Sequence, residues 1–264
     1  MAIIINGRGR VGARPSSGGG SSSYDVDALA FFTAASITDT TQMSAVNTLV
    51  IGLKSNNLWT KIKALYPVVG GNATAHSKNL INPNLYTLTF TSGWVHSSTG
   101  MQGNAASTYA SLGSTQSAFM TSGSGHMAIY SRTIGSPNRY DMGNYGGAGY
   151  TSMRISENLS IHINTTGVPF ATANTDGRGF YIGSRISSTN LIQSKNATQY
   201  TATSSEAFSV GNIVIGAIGT SNFPQFNSDK QYALASIGLG LNSSEMTIYH
   251  TLVQAYQTTL GRNV

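Results

Sequence analysis

Leu159-Ser-Ile-His-Ile163 alternates strictly between apolar and polar residues, and its reading decides the fold. Period two is the pattern of a strand with one face buried. The same alternation occurs in Tyr86-Thr-Leu-Thr-Phe90 and in His126–Tyr130. Short apolar runs at Phe180-Tyr-Ile182, Ile213-Val-Ile215 and Gln231–Ile237 predict further strands. Gly, Asn and Ser clusters separate these runs. Many short strands with turn signals between them predict a mainly β chain, a β-sandwich or jelly roll, and argue against a βαβ fold. No internal repeat of fixed period points to a solenoid or propeller.

Helices flank this region. In 24–36 the apolar Val26, Leu29, Ala30 and Phe32 are expected on one helical face, with Asp25 as N-cap. A second helix, capped by Thr38, carries Met43, Val46, Leu49, Val50 and Leu53 as an amphipathic stripe and stops at Asn56-Asn57. Trp59 to Val69 reads as a turn running into a strand. At the other end, Asn242-Ser-Ser-Glu245 has the form of a capping box. The helix it opens, 243–260, places Tyr249, Leu252, Val253, Tyr256 and Leu260 mostly on one face, with Gly261 as its C′ residue.

Only 9% of the 264 residues are Asp, Glu, Lys or Arg, whereas 40% are hydrophobic, with 13 Tyr and 9 Phe. That apolar content suffices for a core, so the chain is read as folded despite its polarity. The absence of cysteine excludes disulfides, thiolate metal ligands and a cysteine nucleophile. No apolar run is long enough for a membrane span, and the start is not read as a secretory signal. Of the net charge of +6, Arg8, Arg10 and Arg14 supply half, with no acid in the first twenty residues. The rest of the chain holds no basic run, so nucleic acid is not the expected partner. Residues 1–23 therefore read as an extended basic arm with a Gly/Ser linker, joined to a body at 24–264. Apolar Ile3, Ile4 and Ile5 with the three arginines suit docking into a groove of another protein, by strand addition.

Catalytic motifs are weak. Gly7-Arg-Gly9-Arg-Val-Gly12 has the spacing of a dinucleotide fingerprint, but Pro15 and the run of Ser and Gly after it prevent the helix such a site needs. No cofactor is expected. The acids Asp141, Glu157, Asp176, Glu206, Asp229 and Glu245 are scattered, without the paired spacing of glycosidases. His76, His96, His126, His162 and His250 form no metal-ligand or triad motif, and His126 and His162 read as structural residues of strands. No catalytic residue and no metal site is assigned. The aromatic residues are the one sign of a ligand. Trp94, and Tyr140, Tyr145 and Tyr150 around the Gly143–Gly149 loop, could stack on a sugar ring, or fill the core and a subunit contact.

Several stretches, taken in order, resemble structural proteins of tailed bacteriophages, of the crAss-like and Bacteroides-phage type. They are FFTAASITDTTQMSAVNTLVIGLKSNNLWTKIKALYPVVGG (Phe31–Gly71), FTSGWVHSSTG (Phe90–Gly100), IYSRT (Ile129–Thr133), YIGSR (Tyr181–Arg185) and TLVQAYQTTLGR (Thr251–Arg262). The resemblance covers most of 28–262 and leaves 1–23 unmatched. It implies a LamG or concanavalin A-like β-sandwich without catalytic residues. It further implies a virion location, as head fibre, capsid decoration or tail appendage. A homotrimer is the expected state, with capsid or other virion proteins held through the arm. A host-surface glycan is the alternative partner.

Overall fold

The computed structural model describes residues 24–170, 172–219 and 224–264. The arm, with Ile3, Ile4, Ile5, Arg8, Arg10 and Arg14, lies outside the described residues. Helices α1 (Val26–Ala35) and α2 (Thr40–Ser55) come first, then strand β1 (Ile62–Tyr66) and the single turn α3 (Ala73–His76). Next are β2 (Thr89–Phe90), β3 (Val95–Ser97), β4 (Gly100–Gln102), β5 (Ala110–Thr115), β6 (Gly125–Ser131), β7 (Met142–Gly146) and β8 (Gly149–Arg154). They are followed by β9 (Glu157–Thr165), β10 (Thr172–Asn174), β11 (Gly179–Arg185), β12 (Asn190–Lys195), β13 (Thr198–Thr203), β14 (Asn212–Ile215) and β15 (Gln231–Gly238). Helix α4 (Ser243–Thr259) closes the chain.

The strands form two antiparallel sheets, which make a β-sandwich. One has eight strands in the order β13-β12-β11-β6-β15-β4-β3, with β1 also on β15. The other runs β10-β9-β8-β7-β14-β5-β2. Helices α1, α2 and α4 cover the outer face of the eight-stranded sheet, so that sheet is buried on both sides. Alternate residues of β6 obey this: Ala128 and Tyr130 join the core under the helices, whereas Met127 and Ile129 join the core between the sheets. Strand β11 does the same with Phe180 and Ile182 against Tyr181. Two buried faces fit the short apolar run at 180–182. The alternation at His126–Tyr130 predicts one buried face and is corrected by the structure, because the helices cover the other. At Gly183 the sheets approach so closely that a Cβ would lie 2.0 Å from Cγ2 of Ile161.

Most sequence expectations hold at the helices, with two corrections. Asp25 caps α1, and the capping box of Asn242 and Glu245 is present in α4. The expected face of α1 holds only at Phe32. The structure buries Ala28, Phe31, Phe32 and Ala35, and leaves Val26 74% and Leu29 44% exposed. Phe32 is common to both faces, and the observed rotation brings Phe31 into the core edge-on to it at 6.4 Å while Val26 and Leu29 turn outward. The Lys54 ammonium also fixes the rotation of α1 by pairing with both Asp25 and Asp27 at 2.6 Å. For α2 the cap is Asp39, not Thr38, since its carboxylate accepts from the Gln42 amide at 2.8 Å.

Two strand expectations also change. Of 86–90 only Thr89 and Phe90 pair, because Tyr86 takes a left-handed conformation (φ 55°) and its carbonyl accepts from the Tyr66 hydroxyl at 2.6 Å. The Gly143–Gly149 cluster is not a loop between strands. It forms most of the β7–β8 hairpin itself, with only Gly147 and Ala148 left as the turn. A Cβ on Gly143, at φ 133°, would meet the Thr151 carbonyl at 2.1 Å, so glycine is required there.

Candidate aromatic site on the seven-stranded sheet

In the β7–β8 hairpin Met142 faces Met153, and both enter the core between the sheets. Parity then places Tyr145, Tyr150, Ser152 and His162 on the opposite, outer face of the seven-stranded sheet. Tyr145 lies directly across from Tyr150, and their rings stack with centroids 4.7 Å apart and an interplanar angle of 23°. The edge of Tyr150 meets His162 at 6.1 Å. Tyr140, just before β7, packs on Phe226 at 5.9 Å, and its amide donates to the Phe226 carbonyl at 3.1 Å. The adjoining Tyr145 hydroxyl raises the Tyr150 phenol pKa, with burial and the charges of Tyr145 and Tyr140 adding to the rise. The three tyrosines expected from the sequence are thus near neighbours. Tyr145 is 40% exposed and Phe226 51% exposed, so the patch is open to solvent.

His162 supports the patch from below and is itself buried. The Ser160 hydroxyl donates to the Phe170 carbonyl at 3.1 Å, and so has only a lone pair to offer the imidazole. Nε2 of His162 must then carry the proton donated to Ser160 Oγ at 3.0 Å, leaving Nδ1 to accept from Ser152 Oγ at 3.2 Å. Burial, with Arg154 nearby, pushes the pKa of His162 down to about 4, so the ring is neutral near pH 7. Ser152 is fully buried, and this contact ties β8 to β9 beneath Tyr150.

Trp94 belongs to a different aromatic group. Its ring packs on Phe90 at 5.7 Å, Tyr232 at 6.4 Å and His96 at 6.5 Å, against the core between the sheets. Its far edge would lie 2.8 Å from a Cβ on Gly216, and its buried indole N–H has no partner among the described residues. Among the described residues no aromatic pair joins it to the three tyrosines.

The acids are largely occupied. Asp141 is fully buried beside Lys230 at 3.2 Å, and accepts from the Tyr232 hydroxyl at 2.7 Å and the Ile155 amide at 3.0 Å. Asp176 pairs with Arg178, Asp229 with Ser136, and Glu245 with Lys61. Among the described residues no three His, Cys, Asp or Glu side chains converge on a point where a metal could sit. A cleft of about 430 Å³ opens between Ile134, Pro137, Glu157 and Thr175. Glu157 stands at its edge with φ 63°, in a tight turn closed by Asn158 N–H donating to Ser156 O at 2.7 Å. The supporting roles of His162 and Phe226 and this cleft are not legible in the sequence. Only the outward parity of β9 hints at the first.

No family model and no curated protein matches this sequence. Among solved structures, a mutant of Trypanosoma rangeli sialidase displaying trans-sialidase activity aligns with a TM-score of 0.52 at 8% identity. The alignment covers 81% of this chain and 39% of the sialidase chain, so the chain spans about two fifths of that protein's length. Domain 4 of an extracellular arabinanase from Geobacillus stearothermophilus, in complex with arabinotriose, aligns with a TM-score of 0.40 at 11% identity, covering 72% of this chain and 98% of that one. The sialidase likeness shows the β-sandwich fold alone.

Proposed function

We propose that this chain is a structural protein of a tailed-bacteriophage particle, a fibre or capsid-decoration subunit at the virion surface without enzymatic activity. The observation that carries the reading is where the stretches resembling phage proteins meet. Phe31, Val46 and Leu65 come from the first, Tyr130 from the third, Ile182 from the fourth, and Val253 and Tyr256 from the last, and all lie in the single core under the helices. Segments far apart in sequence that build one core support a resemblance of the whole fold rather than of isolated motifs. The low charge and abundant tyrosine suit close packing between copies, in a homotrimer. In this reading the arm, through Ile3–Ile5 and Arg8, Arg10 and Arg14, anchors the body to capsid or other virion proteins. Deleting residues 1–15 should leave a body with unchanged melting behaviour that no longer joins particles. Normal incorporation of the truncated protein, measured by mass spectrometry of purified virions, would overturn the anchor.

The tyrosine patch favours a second reading that can coexist with the first, in which the body binds a host-surface glycan. An exposed stack of Tyr145 on Tyr150, with Tyr140 beside it, offers flat faces to the C–H face of a sugar and hydroxyls to its rim. On a glycan array Tyr145→Ala and Tyr150→Ala should each weaken binding by roughly tenfold or more, the loss of about 1.5 kcal/mol expected for one aromatic contact. Binding that survives both substitutions in folded protein would exclude this face.

A further inference from the structure

Beneath the tyrosine hairpin lies a buried chain of side-chain amides whose polarity can be followed atom by atom. Asn164, in a left-handed conformation on β9, donates through Nδ2 to the carbonyls of Thr121 at 2.8 Å and Ser122 at 3.0 Å. Its Oδ1 is therefore an acceptor, and takes bonds from Gln116 Nε2 at 2.8 Å and Thr151 Oγ1 at 3.1 Å. Gln116 must then turn its Oε1 toward Ser209 Oγ, which it contacts. From the opposite side, Asn144 donates through Nδ2 to the Gly211 carbonyl at 2.8 Å, and so also turns its Oδ1 onto Ser209 Oγ. Backbone carbonyls at both ends fix these amide orientations, and flipping any one of them would set oxygen against oxygen. Two acceptor oxygens thus converge on a hydroxyl that has one proton to give. All four residues are at most 5% exposed, so bulk water does not serve the remaining acceptor, and among the described residues no other donor reaches it.

We propose that Gln116 Oε1, Asn144 Oδ1 and Ser209 Oγ bind a monovalent alkali cation, sodium or potassium, under the β7–β8 hairpin. A cation accepts lone pairs from all three oxygens at once and removes the one-proton shortage. The three ligands are neutral, and no carboxylate takes part in the network. A buried divalent charge would lack the acidic ligands that calcium sites usually have, whereas a single charge is the smaller desolvation penalty. The site joins parts of the chain remote in sequence. Ser209 bridges Gly147 in the hairpin turn, the Val210 amide donates to the Gly146 carbonyl at 3.1 Å, and the Ala207 amide donates to the Asn164 carbonyl at 2.9 Å. An ion here would pin the 205–211 segment under Tyr145 and Tyr150. The inference does not depend on the glycan reading.

Thermal melts of the full chain at a constant ionic strength of about 0.5 M test it, with choline chloride replaced in turn by sodium, potassium or calcium chloride. Sodium or potassium should raise the melting temperature by about 3–6 °C over choline. Ser209→Ala should abolish that increment, and Asn144→Asp, which adds a negative ligand, should enlarge it. The readout is the salt increment within each protein, so a variant of lower stability remains informative, and the Asp variant tests the site if the Ala variant fails to fold. Equal melting in choline, sodium and potassium would overturn the site, as would stabilisation by calcium alone or an increment that Ser209→Ala leaves intact.

Discussion

Arg185→Met is expected to cost about 4 kcal/mol or more and to leave the protein largely unfolded at 37 °C. The guanidinium is fully buried, and among the described residues no carboxylate pairs with it. It donates through Nε to Ile163 O at 2.7 Å, through Nη1 to the carbonyls of Ser187, Ser188 and Ser204 at 3.2, 2.8 and 3.1 Å, and through Nη2 to Ser205 O at 3.4 Å. Burial lowers its pKa from the usual arginine value, partly offset by the charge of Glu206. One side chain thus serves carbonyls of three segments that the sandwich brings together at its edge. Methionine fills similar volume but removes every donor, leaving the buried Ile163 carbonyl unpaired at about 1–3 kcal/mol and handing the part-buried serine carbonyls to solvent at a smaller loss each. Arg185→Lys should lose less, since three donors replace five but cannot span all the carbonyls. Urea denaturation of the three proteins measures this, and a loss below about 1 kcal/mol for Arg185→Met would show that water replaces the guanidinium.

Acid should unfold the protein with a midpoint between about pH 4 and pH 5, well above the range in which carboxylates alone would act. Three histidines are held neutral inside the fold. Burial pushes His76 down to about 3, helped by His96 and Arg262. It pushes His126 down to about 4, despite the hydrogen bond with the Leu239 carbonyl at 2.6 Å, and His162 likewise to about 4. Because each folded pKa lies below the unfolded value near 6.5, the unfolded chain binds more protons as the pH falls. Their stabilisation is therefore complete above pH 6.5, declines below it, and is lost once the pH falls past the folded values of 3 to 4. At about 1.4 kcal/mol per pKa unit the three together are worth on the order of 10 kcal/mol, comparable with the whole stability of a domain. Circular dichroism between pH 7 and pH 3 follows the transition, and His162→Gln should move its midpoint downward. A fold that persists at pH 3, or a midpoint unmoved by that substitution, would refute this account.

The two predictions differ in how far the sequence anticipates them. The strand positions of His126 and His162 anticipate structural histidines, but only the cover over the outer face of β9 makes His162 neutral, and His76 on α3 lacks even that clue. Arg185 gives no such signal. The arginine closes a short apolar run, where a solvent-exposed end is the ordinary outcome, and only the path of 187–188 and 204–205 around it buries the charge. Arg262 repeats the lesson. It follows a helix-terminating Gly261 (φ 63°), yet it is buried and donates to the carbonyls of Val68, Pro67 and Ala233 and to Gln257. Both arginines are buried and serve backbone carbonyls of segments distant in sequence.

The aromatic site was half legible. Tyr140, Tyr145 and Tyr150 cluster by sequence position, and the glycine-rich hairpin brings them together over a few residues, which local geometry alone can do. Trp94 looked equivalent in sequence but packs against Phe90 and Tyr232, since an indole beside the open end of two sheets gains more by covering the core. Phe226 completes the patch from a distant segment, and nothing near it in sequence announces that.

Alternation, capping residues and turn glycines determined by themselves that this chain is a β-sandwich with helices at both ends, because these signals act within a few residues of one another. Only the tertiary structure decided which face of α1 is buried, where Arg185 and Arg262 point, and how Gln116, Asn144 and Ser209 meet. Each of those outcomes depends on which surface arrives opposite, and burial energy is settled between segments up to two hundred residues apart, as for Arg262 and Val68.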